Sequence, residues 1–238
     1  MNTTSASLDE RPADAAPKRR VLVWDAPVRV FHWLMVASFF GAYVSAESER
    51  WRLVHVGLGY TMLGLVAFRL VWGLVGTRHA RFANFVRGPA AVARYIRSLL
   101  RGNPEHHVGH NPAGALAIVA LMALTVGVAA TGWFSYNELG GEWLGEAHEV
   151  AANLMMAVVA VHVTGVVVSM WLHHENLVAA MVHGKKPGGP QDAVQRAWRG
   201  VAALMLVAVL AFWWQQWRDA PAGAVLRPAA ATQAHDDD

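Results

Sequence analysis

The chain has 238 residues and a formal net charge of +3; 55% of its residues are hydrophobic and only 16% are charged. A soluble domain carries about 25% charged residues, so this composition indicates a membrane protein. Cysteine is absent, which excludes disulfides, iron–sulfur clusters, zinc–thiolate sites and covalently attached c-type haem, because all of these need thiols.

The apolar residues are concentrated in long runs. Four runs have roughly 20 mostly apolar residues each, the length that spans a bilayer core of about 30 Å, and they cover residues 27–46, 54–76, 112–134 and 148–172. A fifth run, 200–217, is shorter and ends in Gln215 and Gln216. The runs lack the period-two alternation of membrane β-barrels. The sequence therefore predicts an all-α integral membrane protein with a four-helix transmembrane bundle and a fifth, C-terminal transmembrane helix.

The segments between and beyond the runs divide the chain into four parts. Residues 1–20 are polar and rich in alanine and proline, which predicts a disordered tail. Residues 21–185 form the membrane domain, and residues 186–217 form a linker and the fifth helix. Residues 218–238 are predicted to be a second disordered tail. The sequence GKKPGGP at 184–190 predicts a flexible joint before the last helix.

The first run has an alternative interpretation. Basic residues precede it, and Val44, Ser45 and Ala46 end it in the pattern of a secretory signal with a cleavage site. The run opens with the sequence FHW and follows a long polar tail, which favours a membrane helix that stays in the protein.

Lysine and arginine are divided unevenly between the two sets of loops. Fifteen lie in the N-terminal tail, the loop 77–111 and the segment 173–199, and four lie on the other side. The positive-inside rule therefore predicts that the N-terminus and the loop 77–111 face the cytoplasm. Within that loop, residues 89–100 have the pattern of an amphipathic helix on the anionic inner leaflet, and a solvated basic loop is the alternative.

Four of the twelve histidines lie within or at the start of the predicted membrane helices: His32, His55, His148 and His162. An ionisable side chain is costly there and indicates a function. The other histidines lie in loops, at the ends of runs or in the C-terminal tail, and most are expected to be solvated or interfacial: His79, His106, His107, His110, His173, His174, His183 and His235.

The directions of the helices sort these four membrane histidines into two levels. His55 starts the second helix and His148 starts the fourth, so both are expected near the outer face. His32 and His162 are expected nearer the cytoplasmic face. His148 and His162 are fourteen residues apart, which is about 21 Å along a helix and within about 40° of the same face. Each level thus takes one histidine from the fourth helix and one from another helix.

Paired histidines suit a haem that stands between helices, with one imidazole on each side of the iron. With both axial positions filled, such a haem passes electrons rather than activating oxygen. A zinc site would need three or four ligands at one level, and a proton relay would favour acidic residues deep in the membrane. A porphyrin also needs room, which glycines in the runs could provide, although close helix packing is the alternative role for them: Gly41, Gly57, Gly59, Gly64, Gly127, Gly132 and Gly165.

Two arginines are candidates to bind haem propionates. Arg69 is fourteen residues after His55 and shares its face at the inner level, where an intramembrane arginine needs an anionic partner. Arg29, just before His32, is the second candidate. Snorkelling to the interface is the alternative for both, and it is stronger for Arg29.

Five segments and one histidine pair form a specific combination of motifs. They are VWDAPVRVFHW (23–33), HVGLGY (55–60), ARFANFVRGP (80–89), GHNPAGA (109–115), TGWF (131–134) and the pair His148 and His162. Together they resemble the bacterial cytochrome b561 family, which includes the b-type cytochrome subunits of nickel–iron hydrogenases and formate dehydrogenases. The resemblance covers about residues 21–185. It implies four helices that hold two b haems, with His32 paired to His162 and His55 paired to His148 as iron ligands.

The resemblance also implies electron transfer between quinone and a partner redox protein. We therefore expect a di-haem b-type cytochrome that connects the quinone pool to a periplasmic partner such as a c-type cytochrome, as a carrier or as a quinone-linked oxidoreductase. Three alternatives are open: an oxidoreductase that passes electrons from superoxide or another small oxidant to quinone, a haem-containing anchor subunit of a hydrogenase-like complex, and a non-redox transporter that uses its histidines.

The expected partners are quinone or quinol, a periplasmic redox protein, the lipid bilayer and a second copy of the chain in a homodimer. Nucleic acid is not expected, because the basic residues are segregated by loop. The outer loop 135–147 carries Glu138, Glu142 and Glu146 and no lysine or arginine, so it and the basic inner loop are both candidate docking surfaces. The quinone site could lie beside either haem.

Overall fold

The computed structural model describes residues 19–103 and 105–220, and its long elements are all helices. In chain order the elements are β1 (Arg19–Leu22), α1 (Ala26–Ser45), a 3-10 turn (Glu49–Trp51), α2 (Arg52–Val75), α3 (Phe82–Phe85), α4 (Pro89–Leu100), α5 (Pro112–Tyr136), α6 (Trp143–His173), α7 (Leu177–His183), β2 (Lys185–Gly188), a second 3-10 turn (Pro190–Asp192) and α8 (Arg199–Asp219).

Five of these helices, α1, α2, α5, α6 and α8, are long and apolar enough to cross a membrane. They correspond to the five predicted runs, so the all-α membrane fold is confirmed. Helix α8 is longer than the run 200–217, because it continues through Gln215 and Gln216 to Asp219. Glutamine is a good helix former, so this polar pair does not end the helix. In α6 and in α8, only 11% of the most apolar stretch is buried within the protein, as expected for helices whose outward faces meet lipid.

Polar caps set where two of the membrane helices begin. At the start of α1, the side chain of Asp25 accepts a hydrogen bond from the backbone N–H of Val28 at 2.9 Å. At the start of α5, Asn111 accepts one from Gly114 at 2.7 Å. A proline stands in the first turn of each helix, where its fixed φ and missing N–H fit a helix start. The chain positions of these caps therefore fix the depth of the residues that follow.

The bundle is built from two antiparallel pairs, α1 with α2 and α5 with α6, and α2 joins them by packing against α5. Helix α8 packs mainly against α1. Among the elements described, α1 and α6 are not a closely packed pair. The interior therefore lies between two helix pairs that meet along one side.

Most of the connections gather at one end of the bundle, here called the loop-rich end. It carries the β strands, the segment 76–111 and the segment 174–198. Among the described residues, the connections at the opposite end are the short segments 46–51 and 137–142. This division follows from the alternating directions of the five long helices.

The predicted amphipathic segment forms helix α4 and packs against α5. Val92 and Tyr95 are buried, whereas Arg94 and Arg97 are exposed. Leu100 is 85% exposed, so part of the apolar side of α4 is not covered by protein.

A small antiparallel sheet at the loop-rich end pairs a strand at the beginning of the membrane domain with a strand that follows its last helix. Strand β1 pairs with β2 in a register that places Arg19 opposite Gly188 and Leu22 opposite Lys185. Backbone hydrogen bonds from Val23 and Trp24 to Gly184 extend the contact. The predictions of a flexible joint at 184–190 and of disorder at residues 19–20 are therefore wrong for the residues in these strands, because each segment satisfies the backbone of the other. The rest of the two predicted tails, with His235, lies outside the described residues except for residues 218–220.

Candidate functional site

His55 and His148 lie side by side at the opposite end of the bundle. His55 is in the first turn of α2 and His148 is in the second turn of α6. The centres of the two imidazole rings are 5.9 Å apart, and the ring planes are inclined by 77°. Two metal–imidazole bonds of about 2 Å each, together with the distances from ring centres to nitrogens, span a gap of this size. The pair that was expected from helix direction and depth is thus brought together.

Both of these imidazoles are oriented through the Nδ1 atom. Nδ1 of His55 is 2.8 Å from the carbonyl oxygen of Ala42. Nδ1 of His148 is 2.9 Å from the carbonyl oxygen of Val128 and 3.5 Å from the hydroxyl of Thr131. A carbonyl only accepts, so each Nδ1 carries a proton, and in a neutral imidazole Nε2 then has the free lone pair. This is the tautomer in which proteins present histidine to a metal.

Two glycines show how space is distributed around these rings. A Cβ at Gly132 would lie 2.8 Å from Cε1 and 2.9 Å from Nδ1 of His148, so the absence of a side chain lets α5 approach the ring. Gly57 is buried, yet a Cβ there would meet no heavy atom within 4 Å. An open space therefore borders α2 at Gly57, but two residues turn a helix by about 200°, so this space lies on the side away from the His55 imidazole.

His32 and His162 occupy the level nearer the loop-rich end. Both are partly buried. Nδ1 of His32 is buried without a hydrogen-bond partner among the described residues. These two histidines come from α1 and α6, the helices that do not pack closely.

An apolar layer lies between the two histidine levels. Phe39, Met62 and Met155 form a buried cluster with exposed fractions of 8%, 5% and 3%. Met155 is seven residues from both His148 and His162, which places it about 10.5 Å along α6 from each. The two levels are therefore separate polar sites in an apolar interior.

The two arginines have different surroundings. Arg69 is only 2% exposed, and its guanidinium carbon lies 4.7 Å from the centre of the Phe82 ring. Arg29 donates hydrogen bonds to the carbonyl oxygens of Asp25 at 3.3 Å and Val182 at 2.7 Å. Arg29 thus has backbone partners, whereas Nη1 of Arg69 has no partner in the described part of the chain.

The sequence analysis assigned no role to Asp25, although the residue is completely buried. Besides capping α1, its carboxylate accepts hydrogen bonds from Trp72 Nε1 at 3.1 Å and from the Thr77 hydroxyl at 2.6 Å. It thereby ties the start of α1 to the end of α2, and so fixes His32 relative to Arg69. An aspartate directly before a proline-containing helix start is a recognisable capping signal, but its partners on α2 leave no local pattern.

His110 also differs from the expectation of a solvated loop histidine. Its ring centre lies 4.5 Å from that of Trp24 and 4.5 Å from that of Phe85, and its Nδ1 is buried without a partner in residues 19–103 and 105–220. Burial, with a smaller contribution from the charge of Arg69, lowers the pKa of His110 to about 3. The imidazole is therefore neutral at physiological pH. In the sequence, the position of His110 in the motif GHNPAGA could have indicated that it is not an ordinary solvated residue.

Another polar cluster lies at the loop-rich end. Lys186 Nζ lies 3.1 Å from Glu175 Oε2, and their side chains are only 5% and 13% exposed. His106 Nε2 lies 3.7 Å from the other oxygen of Glu175. The buried ion pair holds the segment after α6 against β2. In the part of the chain that the structure describes, no three or more His, Cys, Asp or Glu side chains are arranged to hold a metal ion.

Comparison with known proteins identifies relatives among bacterial B-type cytochrome subunits. Curated relatives named "Probable Ni/Fe-hydrogenase B-type cytochrome subunit" include one from Rhodobacter capsulatus, which is 27% identical over 51% of this chain and 57% of its own length. A second, from Rhizobium leguminosarum bv. viciae, is 22% identical over 75% of this chain and 93% of its own length. A third, the "Probable Ni/Fe-hydrogenase 1 B-type cytochrome subunit" of Escherichia coli (strain K12), is 28% identical over 49% of this chain and 60% of its own length.

The chain thus spans about three fifths of the length of the first of these relatives and of the Escherichia coli protein. No solved structure matches it. The family described as prokaryotic cytochrome b561 matches residues 23–184, which include all four membrane histidines and most of the loop-rich end. This match covers well over half of the chain, and the chain belongs to the prokaryotic cytochrome b561 family.

Proposed function

We propose that this b-type cytochrome binds two b haems, one through His55 and His148 and one through His32 and His162. It would transfer electrons between the quinone pool and a periplasmic redox partner across a bacterial inner membrane. When bound, each haem supplies a one-electron carrier with both axial positions filled. The protein residues hold the imidazoles in place, separate the two sites and exclude water between them.

The observation that carries this proposal is the geometry of His55 and His148. Their rings lie 5.9 Å apart, and each Nδ1 is fixed by a backbone carbonyl. An imidazole held in this way pays little to bind a metal, because its tautomer and orientation are already set.

The support for a haem at His32 and His162 comes from buried polar groups that lack hydrogen-bond partners. A buried ring nitrogen without a partner is costly, and Nδ1 of His32 is such an atom among the described residues. The side chain of Arg69 lies at the same level and is equally unsatisfied. A haem would supply iron for the imidazole to coordinate and anionic propionates for the guanidinium.

The proposed orientation puts the loop-rich end in the cytoplasm, because fifteen lysines and arginines lie in the segments of that side. The opposite end, with the exposed Glu138, Glu142 and Glu146, would then face the periplasm. An acidic surface there suits a basic patch on a redox partner and would mainly speed association.

A second candidate function follows from the names of the relatives, which are cytochrome subunits of Ni/Fe hydrogenases. In that function the chain anchors a periplasmic oxidoreductase and receives its electrons. The two functions use the same haem sites and differ only in whether the partner is a stable subunit.

Haem content is the first test. The purified protein should show a reduced b-type α band and two haems per chain by pyridine haemochrome. Protein made with ample haem supply that contains no haem would contradict the proposal. Reduction of the haems by added quinol at a catalytically useful rate would support the carrier, whereas co-purification of a stable oxidoreductase partner would support the anchor.

Single substitutions test the ligand pairing. His55→Ala and His148→Ala should lose the same haem, and His32→Ala and His162→Ala should lose the other, as followed by redox titration of the α band. The control is His174→Asn, because His174 is exposed with φ +51°, a conformation that asparagine tolerates. Matching losses in His148→Ala and His32→Ala would contradict the pairing.

A further inference from the structure

Arg69 is a buried cation that has no direct ion pair among residues 19–103 and 105–220. It is 2% exposed, and its guanidinium carbon lies over the rings of Phe82 and Phe85 at 4.7 Å and 5.8 Å. Asp25 is near enough to act on its charge, but both oxygens of Asp25 already accept hydrogen bonds. Within residues 19–103 and 105–220, Nη1 of Arg69 has no partner. Aromatic faces offset only part of the cost of burying a charge.

His110 presents a second unsatisfied nitrogen beside the same aromatic ring. It packs against Phe85 with ring centres 4.5 Å apart, and Trp24 closes its other side at 4.5 Å. Nδ1 of His110 is buried and lacks a partner in the described part of the chain. The Phe85 ring thus lies next to both the guanidinium of Arg69 on α2 and the imidazole of His110 in the segment before α5.

The chemistry of this pair selects an anion with more than one acceptor oxygen. A guanidinium offers parallel N–H donors that match a carboxylate, and a neutral imidazole adds a further N–H donor. The aromatic walls keep water away, which strengthens such bonds. Arg69 Cζ and the His110 ring centre lie 5.8 Å and 4.5 Å from the centre of the same Phe85 ring, so the two groups are neighbours. Arg69 is fourteen residues after His55 on α2, which places it at the level expected for His32 and His162.

We infer that Arg69 and His110 together bind a carboxylate, and that this carboxylate is a propionate of the haem held by His32 and His162. The inference rests on the proposed haem ligation and assigns His110 a role in it. Arg69 would neutralise the propionate, and His110 would fix its direction. Both would act as positioning residues for that haem and not as iron ligands.

Redox titration of the holoprotein tests the inference in the His55→Ala variant, where only the haem held by His32 and His162 should remain. Arg69→Gln should lower the midpoint potential of that haem, because losing a nearby positive charge disfavours adding an electron. His110→Phe keeps an aromatic ring between Trp24 and Phe85 but removes the donor, and should lower the potential in the same direction. His110→Gln, which keeps a donor, should restore part of the shift. The matched control is Arg97→Gln on α4, because Arg97 is exposed.

A chemical variant of the haem distinguishes a propionate from a free anion. Apoprotein with His55→Ala is reconstituted with haem or with haem dimethyl ester, whose propionates are blocked. If the pair binds a propionate, Arg69→Gln and His110→Phe should change retention and potential with haem but not with the ester. Equal effects with both haems would overturn the inference and indicate a free anion or a purely structural role.

The outcome is separable from that of the proposed function. A protein that binds two haems, each lost with its expected histidine, but whose potentials do not respond to Arg69→Gln and His110→Phe, would overturn only the carboxylate site. Shifts confined to the haem of His55 and His148 in the otherwise unsubstituted protein would overturn it as well. A protein without haem would instead contradict the ligation on which the inference rests.

Discussion

Phe39 and Met155 belong to one buried cluster in the middle of the bundle, although their helices α1 and α6 do not pack closely along their lengths. Phe39 lies seven residues after His32, and Met155 lies seven residues before His162. Seven residues are nearly two full turns, so each apolar side chain stays on the face that carries its histidine. The cluster therefore holds α1 and α6 together between the two histidine levels.

We expect Met155→Ala to lower the free energy of unfolding by about 3 kcal/mol, because it opens a cavity in a layer that is otherwise filled. The measurement is unfolding in mixed micelles with increasing denaturing detergent, followed by circular dichroism. Val167→Ala, on the same helix, is the control. Val167 is 58% exposed, so this change should have a much smaller effect. Equal effects of the two substitutions would mean that the layer is not a packing centre.

Asp25 gives a prediction about the connection between α1 and α2. Asp25→Ala removes the cap of α1 and leaves Trp72 Nε1 and the Thr77 hydroxyl without their acceptor. The loss of a cap costs about 1 kcal/mol, and each buried donor left unpaired adds about 1–3 kcal/mol. The thermal unfolding temperature should therefore fall clearly below that of the unsubstituted protein.

The comparison for this prediction is Asn111→Ala, which removes only the cap of α5. Asn111→Ala should lower the unfolding temperature less than Asp25→Ala does. If the two substitutions had the same effect, the contacts of Asp25 with α2 would contribute nothing beyond the cap.

The features that could be predicted from sequence are those that depend on helix geometry. The five spans follow from the length and polarity of the apolar runs. The approach of His55 to His148 follows from helix direction and from the depth at which each helix begins. These quantities need only the residue count and the rise of a helix. The haem ligation itself stays a prediction.

The features that could not be predicted depend on pairing between distant parts of the chain. Strand β1 pairs with β2. The sequences RRVL and KKPG of these strands have no alternation of apolar and polar residues to indicate a sheet. The burial of His110 depends on where the loop 77–111 places Phe85, and hydropathy does not encode the path of a loop. Residues at the loop-rich end were therefore assigned to solvent more often than the structure supports.

The ion pair of Lys186 and Glu175 gives a prediction about the loop-rich end. Lys186→Met should lower the free energy of unfolding by about 3 kcal/mol, because it leaves a nearly buried carboxylate without its cation. Adding Glu175→Gln to the same chain should recover part of the loss, since the charge is then removed as well. Thermal unfolding of the single and double variants measures this coupling.

The exposed pair of Arg94 and Glu105 is the matched control for that cycle. Their side chains are 65% and 36% exposed, and the N–O distance is 3.2 Å. Arg94→Gln should cost less than about 1 kcal/mol, as is usual for surface pairs. A large effect of Arg94→Gln, or no recovery of stability in the Lys186→Met and Glu175→Gln double variant, would contradict the claim that the buried ion pair stabilises the loop-rich end.

Gly132 offers the sharpest test of the site formed by His55 and His148. In Gly132→Ala the new Cβ would lie 2.8 Å from Cε1 of His148, which is closer than atoms approach, so the imidazole must move and its hydrogen bond to Val128 must change. We expect this variant to lose or weaken one haem and to leave the other, as measured by redox titration and pyridine haemochrome. Gly127→Ala is the control on the same helix, because its Cβ would meet nothing within 4 Å. Full haem content in Gly132→Ala, or equal loss of both haems, would contradict the role of His148 as a ligand for one haem only.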